Sequence, residues 1–162
     1  MASVDYFLKI KDIPGESQDA KHKDEIDLLS WSWGASQAGS MAYGGGGGAG
    51  KVSMQDFNFT MRVNKATPKL ILAMSNGTHI PECLLTLRKA GKEQQEFLKI
   101  KFSDVLISTY QTGGSGGEME GTEQCSFNYS KIEYQYRAQK KDGTLDGPVN
   151  FHWDVKTNAG GA

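Results

Sequence analysis

Large apolar residues alternate with polar ones along most of the chain, which is the spacing of a strand that buries one face. The clearest example runs from residue 52 to 63, where Phe57, Phe59 and Met61 are separated by polar residues. The same period of two predicts further strands at residues 4–11, 83–87, 98–102, 125–136 and 149–155. This alternation of aromatic and aliphatic residues with polar ones is typical of a mostly β protein.

One short stretch has the spacing of a helix instead. Thr67 and Pro68 stand where an N-cap and a first-turn proline belong, apolar residues follow at 70, 71 and 74, and Gly77 supplies a C-terminal stop. The spacing predicts a helix over about residues 66–76. A single helix among many strands predicts a mostly β fold, either a closed barrel or two packed sheets.

The segment from residue 26 to 34 combines two tryptophans with two serines. In a regular strand Leu29 shares one face with both tryptophans, and Leu28 shares the other face with Ser30 and Ser32. Two tryptophans on one face most often belong to a core. Ser30 and Ser32 are therefore expected to point outward, toward either bulk solvent or a closely approaching partner.

The net charge and the length of the apolar runs argue against two classes of partner, nucleic acids and membranes. The net charge of the 162 residues is −1, without the basic surplus of proteins that bind nucleic acids or anionic membranes. The longest uninterrupted apolar run, residues 70–74, is far shorter than a membrane span. We expect no nucleic-acid partner, no membrane insertion and a single domain over residues 1–162.

Glycine is abundant and unevenly placed. Of the 20 glycines, seven lie between residues 39 and 50 and five between residues 113 and 121, so most of them belong to two connections rather than to strands. The first connection is long for a link between two strands, for which about two to five residues are usual. An extended segment of that kind, with little side-chain bulk, is suited to reach a neighbouring molecule.

Two motifs resemble catalytic or phosphate-binding signatures. Residues 45–51 have the spacing G-x-x-x-x-G-K, but Val52 replaces the metal-binding hydroxyl and a strand follows instead of a helix. Residues 113–117 contain the G-x-S-x-G of a nucleophile elbow at Ser115, and Asp142 and His152 follow it in the order of an α/β hydrolase. An elbow also needs a helix after the serine, so we interpret both motifs as glycine-rich turns.

Metal and carboxylate chemistry is weakly supported. The histidines at 22, 79 and 152 are widely spaced, and a calcium-loop-like run from 142 has Trp153 in place of the bidentate glutamate. Glu118, Glu120 and Glu123 crowd a glycine-rich loop, whereas glycoside hydrolysis needs carboxylates at a fixed separation. We expect no catalytic residue, no metal and no cofactor.

A series of specific motifs follows in order along nearly the whole chain. They are Gly15-Glu16-Ser17, Glu25-Ile26-Asp27, Ser30-Trp31-Ser32-Trp33-Gly34, Gly50-Lys51, Thr67-Pro68-Lys69-Leu70, Gly77 with His79 and Pro81, Leu87-Arg88-Lys89-Ala90-Gly91, Thr112-Gly113-Gly114-Ser115-Gly116-Gly117-Glu118, and Asp146-Gly147-Pro148. In this order they resemble the Hcp family, the haemolysin-coregulated proteins that form the inner tube of the type VI secretion system.

The resemblance implies a mostly β fold, a β-barrel formed by two packed sheets with one short flanking α-helix. It also implies a structural role rather than an enzymatic one. Six copies would form a ring with a wide lumen, and the rings would stack into a tube. A contractile sheath would drive the tube out of the cell behind a spike protein, with small effectors in the lumen. The protein would be cytoplasmic before firing and then secreted without a cleaved signal peptide, which fits an N-terminus without a long apolar stretch. No appended effector domain is expected, since the last predicted strand ends near residue 156.

The resemblance also suggests roles for two sets of residues. Ser30 and Ser32 are expected to line the lumen and contact effectors, with exposure to bulk solvent as the alternative. The long glycine-rich connection is expected to reach the next ring and contribute to stacking. Its candidate residues are Ser40, Met41, Tyr43, Gly46, Gly50 and Lys51.

A second interpretation comes from a different functional class. A monomeric β-sandwich that binds carbohydrate would have a similar composition and would use exposed aromatic residues as stacking surfaces. Tyr43, Tyr110 and Tyr136 are its candidates. The oligomeric state distinguishes this binding module from a subunit of a ring.

Overall fold

The alternating segments form ten strands in the computed structural model, which describes residues 4–37, 51–90, 94–117 and 121–162. The strands are β1 Val4–Ile10, β2 Ile26–Ser32, β3 Ala35–Gln37, β4 Val52–Met54, β5 Phe57–Arg62, β6 Ile80–Lys89, β7 Gln95–Gly113, β8 Thr122–Tyr136, β9 Val149–Asp154 and β10 Ala159–Gly161. The one helix among the described residues is α1, Thr67–Asn76.

Six strands close into a barrel. They lie in the order β8-β5-β2-β1-β6-β7, and β7 pairs again with β8, so that the sheet returns to its first strand. All of these pairings are antiparallel. The strands β9 and β10 extend the sheet beyond β8, and β3 pairs with β4 in a separate two-stranded sheet. The predicted mostly β barrel with one short flanking helix is confirmed.

An aromatic cluster fills the barrel. Phe57, Phe102 and Phe127 are fully buried, and the ring centroids of each pair among them are 5.0 Å apart. Such offset and edge-on contacts add to the stabilisation that burial itself provides. Phe57 and Phe127 are direct cross-strand partners, which ties the alternation seen in the sequence to the packing of the core.

The helix lies where it was predicted, but its first turn differs from the expectation. The N-cap position is Ala66, which has no capping side chain, and Thr67 is already helical. The Thr67 hydroxyl donates to the buried carboxylate of Glu123 on β8, so it joins the helix to the barrel instead of capping it. Gly77 ends the helix with a φ of 68°, a conformation that glycine adopts readily.

Strand boundaries depart from the sequence prediction in three places. The segment predicted as one strand over 52–63 is divided at residues 55 and 56 into β4 and β5. Strand β7 continues eleven residues beyond the predicted end at residue 102, and β10 follows the strand that was expected to be the last. Short polar or glycine-rich strands such as β3 and β10 carry almost no periodic signal.

Candidate functional site

A row of polar residues covers the outer side of the barrel where β2, β5, β8 and β7 lie side by side. Directly paired residues of neighbouring antiparallel strands point to the same side of a sheet. The pairs are Ser30 with Thr60 and Ser32 with Asn58, then Thr60 with Gln124 and Asn58 with Ser126, then Gln124 with Gln111 and Ser126 with Thr109. We call these eight residues, Ser30, Ser32, Asn58, Thr60, Thr109, Gln111, Gln124 and Ser126, the neutral face.

None of the eight side chains of the neutral face is ionisable. Seven of the eight side chains are exposed or half-buried, and Ser126 is buried. On β5 and β8 the residues that alternate with them point into the barrel and are buried, for example Phe59 and Cys125. The Ser30 and Thr60 hydroxyl oxygens are 2.6 Å apart, so β2 and β5 are also joined through side chains. The arrangement is an uncharged wall of hydroxyls and amides.

The tryptophans fix the strand that carries Ser30 and Ser32. Trp31 is half-buried and stacks on Phe57, with ring centroids 6.1 Å apart and an interplanar angle of 17°. Trp33 is also half-buried, and its Nε1 donates to the Tyr129 hydroxyl. The expectation that both tryptophans face inward and both serines face outward is therefore confirmed for these positions.

The prediction for the preceding residues was wrong. Leu28 was expected on the outer face with the serines and Leu29 on the inner face, but Leu28 is buried and Leu29 is 43% exposed. The cause is a β-bulge: Leu28 pairs with Met61 and Ser30 pairs with Thr60, so the two strands differ by one residue between these pairs. A bulge reverses the inward and outward alternation at one point.

Charged residues appear only at the margins of the neutral face. Asp27 lies on β2 before the bulge, and burial together with the neighbouring carboxylates of Asp5 and Asp19 raises its pKa. Arg62 follows Thr60 on the same side of β5. At another edge the Ser108 hydroxyl donates to Asp56, with 2.7 Å between the oxygen atoms. The centre of the face is therefore neutral while its rim carries both signs of charge.

The predicted stacking residues are only partly within the described structure. Ser40, Met41, Tyr43, Gly46 and Gly50 lie outside the described residues. Lys51 is exposed and immediately precedes β4. The flanking strands β3 and β4 pair from Ala35 with Met54 to Gln37 with Val52, so residues 38–51 connect the two strands of a hairpin.

The catalytic and ligand motifs do not assemble into sites in the part of the chain that the structure describes. Ser115 lies in the turn after β7, where no helix follows, and no hydrogen bond joins it to a histidine. His22 is buried, with its ring nitrogens 2.8 Å from Glu25 and 2.7 Å from Glu96. Within the described ranges no three His, Cys, Asp or Glu residues are placed to share a metal ion. No helix of those ranges has the length and apolar character needed to cross a membrane.

Six members of the neutral face were not named as candidates from the sequence. Asn58 and Thr60 were recognised as the polar side of a strand, and this alternation is the signal that could have found them. Gln124 and Ser126 join them only through register with β5, which connects residues more than 60 positions apart in the chain. Thr109 and Gln111 join through register of β7 with β8.

Comparisons with known proteins identify the family. The model of the family described as "Type VI secretion system effector, Hcp" matches residues 7–136. The chain is 51% identical to Protein hcp1 of Pseudomonas aeruginosa over 158 residues, which cover 96% of this chain and 98% of that protein. A structure described as that of a type six secretion system protein superposes with a TM-score of 0.91 at 30% identity, covering 97% of this chain and 99% of that one.

Two further structures give the same result. The crystal structure of Hcp1 from Salmonella typhimurium has a TM-score of 0.81 and 31% identity, with 98% of this chain and 99% of that chain covered. A type VI secretion system effector from Yersinia pestis has a TM-score of 0.77 and 36% identity, with 93% and 100% covered. Family model, sequence identity and fold agree over nearly the whole length, and the chain belongs to the Hcp family of type VI secretion system proteins.

Proposed function

We propose that this chain is the building unit of a type VI secretion tube. It assembles as a homohexameric ring, and rings stack into a tube with the neutral face of each subunit turned toward the lumen. The tube is cytoplasmic before firing and is then expelled by a contractile sheath behind a spike protein, without a cleaved signal peptide. Small effector proteins travel inside it, in contact with Ser30, Ser32 and their neighbours.

The observation that carries this proposal is the uncharged outer wall of the barrel. A lumen that transports folded proteins must hold water and must not adhere strongly to its contents. The neutral face meets both conditions, because none of its side chains is charged and each hydrogen bond that its exposed members exchange with water contributes little net free energy. A surface with many like charges would instead select or repel cargo by its net charge.

Assembly is the first test. A hexamer has about six times the 17.7 kDa mass of the chain, and light scattering after size exclusion distinguishes it from a monomer. Negative-stain electron microscopy of the same fraction should show annular particles. A stable monomer without rings would contradict the proposal and favour the binding module.

The stacking role of the long connection has a separate test. Replacing residues 40–50 with a short turn leaves β3 and β4 able to pair and leaves the barrel untouched. We expect rings of unchanged mass that no longer stack into tubes. Tubes of normal length from the shortened protein would refute a stacking role for Ser40, Met41, Tyr43, Gly46 and Gly50.

The carbohydrate-binding alternative receives little support from the described aromatics. The Tyr110 hydroxyl donates to the buried Glu123, which ties this ring to the barrel instead of leaving it as an open platform. Tyr136 is 45% exposed and remains available as a stacking surface. Tyr43 lies outside the described residues.

A further inference from the structure

The hairpin of β3 and β4 is joined to the barrel at its base. Neither strand pairs with a barrel strand in the described structure, although Met54 of β4 packs against the core. The direction of the hairpin therefore depends largely on how the chain leaves β2 and enters β5. The residues at these two points are Gly34 and Gln55. The Gln55 amide donates to the Gly34 carbonyl over 2.9 Å, which closes the base of the hairpin.

One buried hydroxyl links both arms of this base to the core. Trp33, beside Gly34, donates its Nε1 hydrogen to the Tyr129 hydroxyl, and that hydroxyl donates to the Gln55 carbonyl over 2.8 Å. Tyr129 is 8% exposed, and its ring lies 4.9 Å from the ring of Phe102 in the aromatic cluster. Burial raises the pKa of Tyr129 to about 12, so its oxygen keeps the proton that it donates.

Two hydrogen bonds of the hairpin base meet at the backbone of Gln55. Its amide donates to the Gly34 carbonyl, and its carbonyl accepts from the Tyr129 hydroxyl. Ser32 is two residues from Gly34, so the end of the neutral face and the base of the hairpin share one anchor.

We propose that Tyr129 is a positioning residue that fixes the hairpin of β3 and β4 in the direction needed for ring stacking, and holds the end of β2 that carries Ser32. This inference rests on the proposed tube function. The hydroxyl accepts from Trp33 and donates to Gln55, and it thereby holds the base of a two-stranded arm that has no backbone pairing with the barrel in the described residues.

The test compares the full-length wild type with Tyr129→Phe, which keeps the ring packed on Phe102 and removes only the hydroxyl. Hydrogen exchange reports on the Gln55 amide and on the paired residues of β3 and β4. We expect exchange there to accelerate roughly two- to tenfold, as for the loss of one or two hydrogen bonds. Ring mass should stay unchanged, and tubes in negative stain should become shorter or disappear.

A matched control and a second variant keep the inference falsifiable. Tyr134→Phe changes a second tyrosine of β8, which is half-buried, and should leave both hairpin exchange and tube length unchanged. Trp33→Phe removes the donor on the other side of Tyr129 and should loosen the hairpin as Tyr129→Phe does.

Unchanged hydrogen exchange in Tyr129→Phe would refute the claim that the Tyr129 hydroxyl holds the hairpin, whatever the length of the tubes. Faster exchange with tubes of normal length overturns the stacking role alone. A wild type that forms neither rings nor tubes contradicts the proposed function and the stacking role, while the exchange comparison still decides whether Tyr129 holds the hairpin. The exchange measurement thus tests the role of Tyr129 in the hairpin, and electron microscopy tests tube formation separately.

Discussion

Arg88 of β6 binds Asp19 through two parallel hydrogen bonds, from Nη1 to Oδ1 over 2.9 Å and from Nη2 to Oδ2 over 2.6 Å. Arg88 is 2% exposed and also contacts Asp5 of β1, while its guanidinium lies 4.8 Å from the ring centroid of Phe7. A long segment between β1 and β2 is thus attached to the outside of the barrel. Bidentate pairs of this kind combine energy with fixed geometry.

Replacing Asp19 by asparagine should destabilise the protein in a pH-dependent manner. The hydrogen bonds from Arg88 are the largest cause that lowers the pKa of Asp19. Because the folded-state pKa lies below the unfolded one, the stabilisation is present at neutral pH and is lost as the pH falls below about 4. We expect Asp19→Asn to cost about 2 kcal/mol at pH 7, and less at pH 3, in urea denaturation.

A control for this prediction is the exposed pair of Lys65 with Asp24, in which nitrogen and oxygen are 3.9 Å apart. Lys65→Gln should change the free energy of unfolding by less than about 0.5 kcal/mol. An Asp19→Asn deficit of the same size at pH 7 and pH 3 would show that the carboxylate charge is not what stabilises the segment.

The bulge in β2 predicts opposite consequences for two adjacent leucines. Leu28 is 8% exposed and Leu29 is 43% exposed, although an uninterrupted alternation assigns Leu28 to the outer face. We expect Leu28→Ala to cost about 2 to 4 kcal/mol, because it leaves a cavity in the core. Leu29→Ala should cost less than about 0.5 kcal/mol. Denaturant titrations of both variants measure the difference, and a larger loss for Leu29→Ala would contradict the register.

The same bulge shows what the alternation of apolar and polar residues can predict and what it cannot. Burial in a strand repeats every two residues, so the strands around Phe57 and Phe127 and the outward direction of Ser32 were predictable from the chain alone. A bulge inserts one residue relative to a partner strand, and that partner lies about 30 positions away for Leu28. Nothing in the pattern of a single strand records which residue of another strand it meets.

Closure of the barrel and the composition of the neutral face also depend on strand register, which the pattern along a single strand does not record. Strand β7 was recognised only as far as residue 102, because its second half mixes polar, aromatic and glycine residues without a clean alternation. That half contributes Thr109 and Gln111 through register with β8. Thr67 is a different case: its position before a proline suggested a cap, but the buried Glu123 competes for the hydroxyl.

The lumen role of Ser32 predicts an effect of side-chain size without an effect on assembly. Ser32 is exposed and pairs with Asn58, so a large side chain can be added without entering the core. We expect Ser32→Phe to retain ring mass and to reduce the amount of small effector protein that co-elutes with the ring. Ser32→Ala, which removes the hydroxyl without adding bulk, separates the effect of size from that of the hydrogen bond. Rings that fall apart in Ser32→Phe would place Ser32 in the subunit contact.

The native cysteines leave the protein suitable for thiol labelling of the neutral face. Cys83 and Cys125 are fully buried, and burial raises the pKa of both thiols, that of Cys125 to about 12. Thiolates are the reactive species, so the folded wild type should resist maleimides and react only in denaturant. A cysteine introduced at one exposed position should then be the sole site of labelling.

Gln124→Cys on the neutral face and Leu72→Cys on α1 form a matched pair, because both positions are exposed. If the neutral face lines a lumen, a small maleimide should label both variants in assembled tubes, while a large polymer-linked maleimide should label only Leu72→Cys. After denaturation both reagents should label both variants, which controls for the reactivity of the thiols. Equal labelling of Gln124→Cys by the large reagent in intact tubes would place the neutral face on an outer surface, and Ser30 and Ser32 with it.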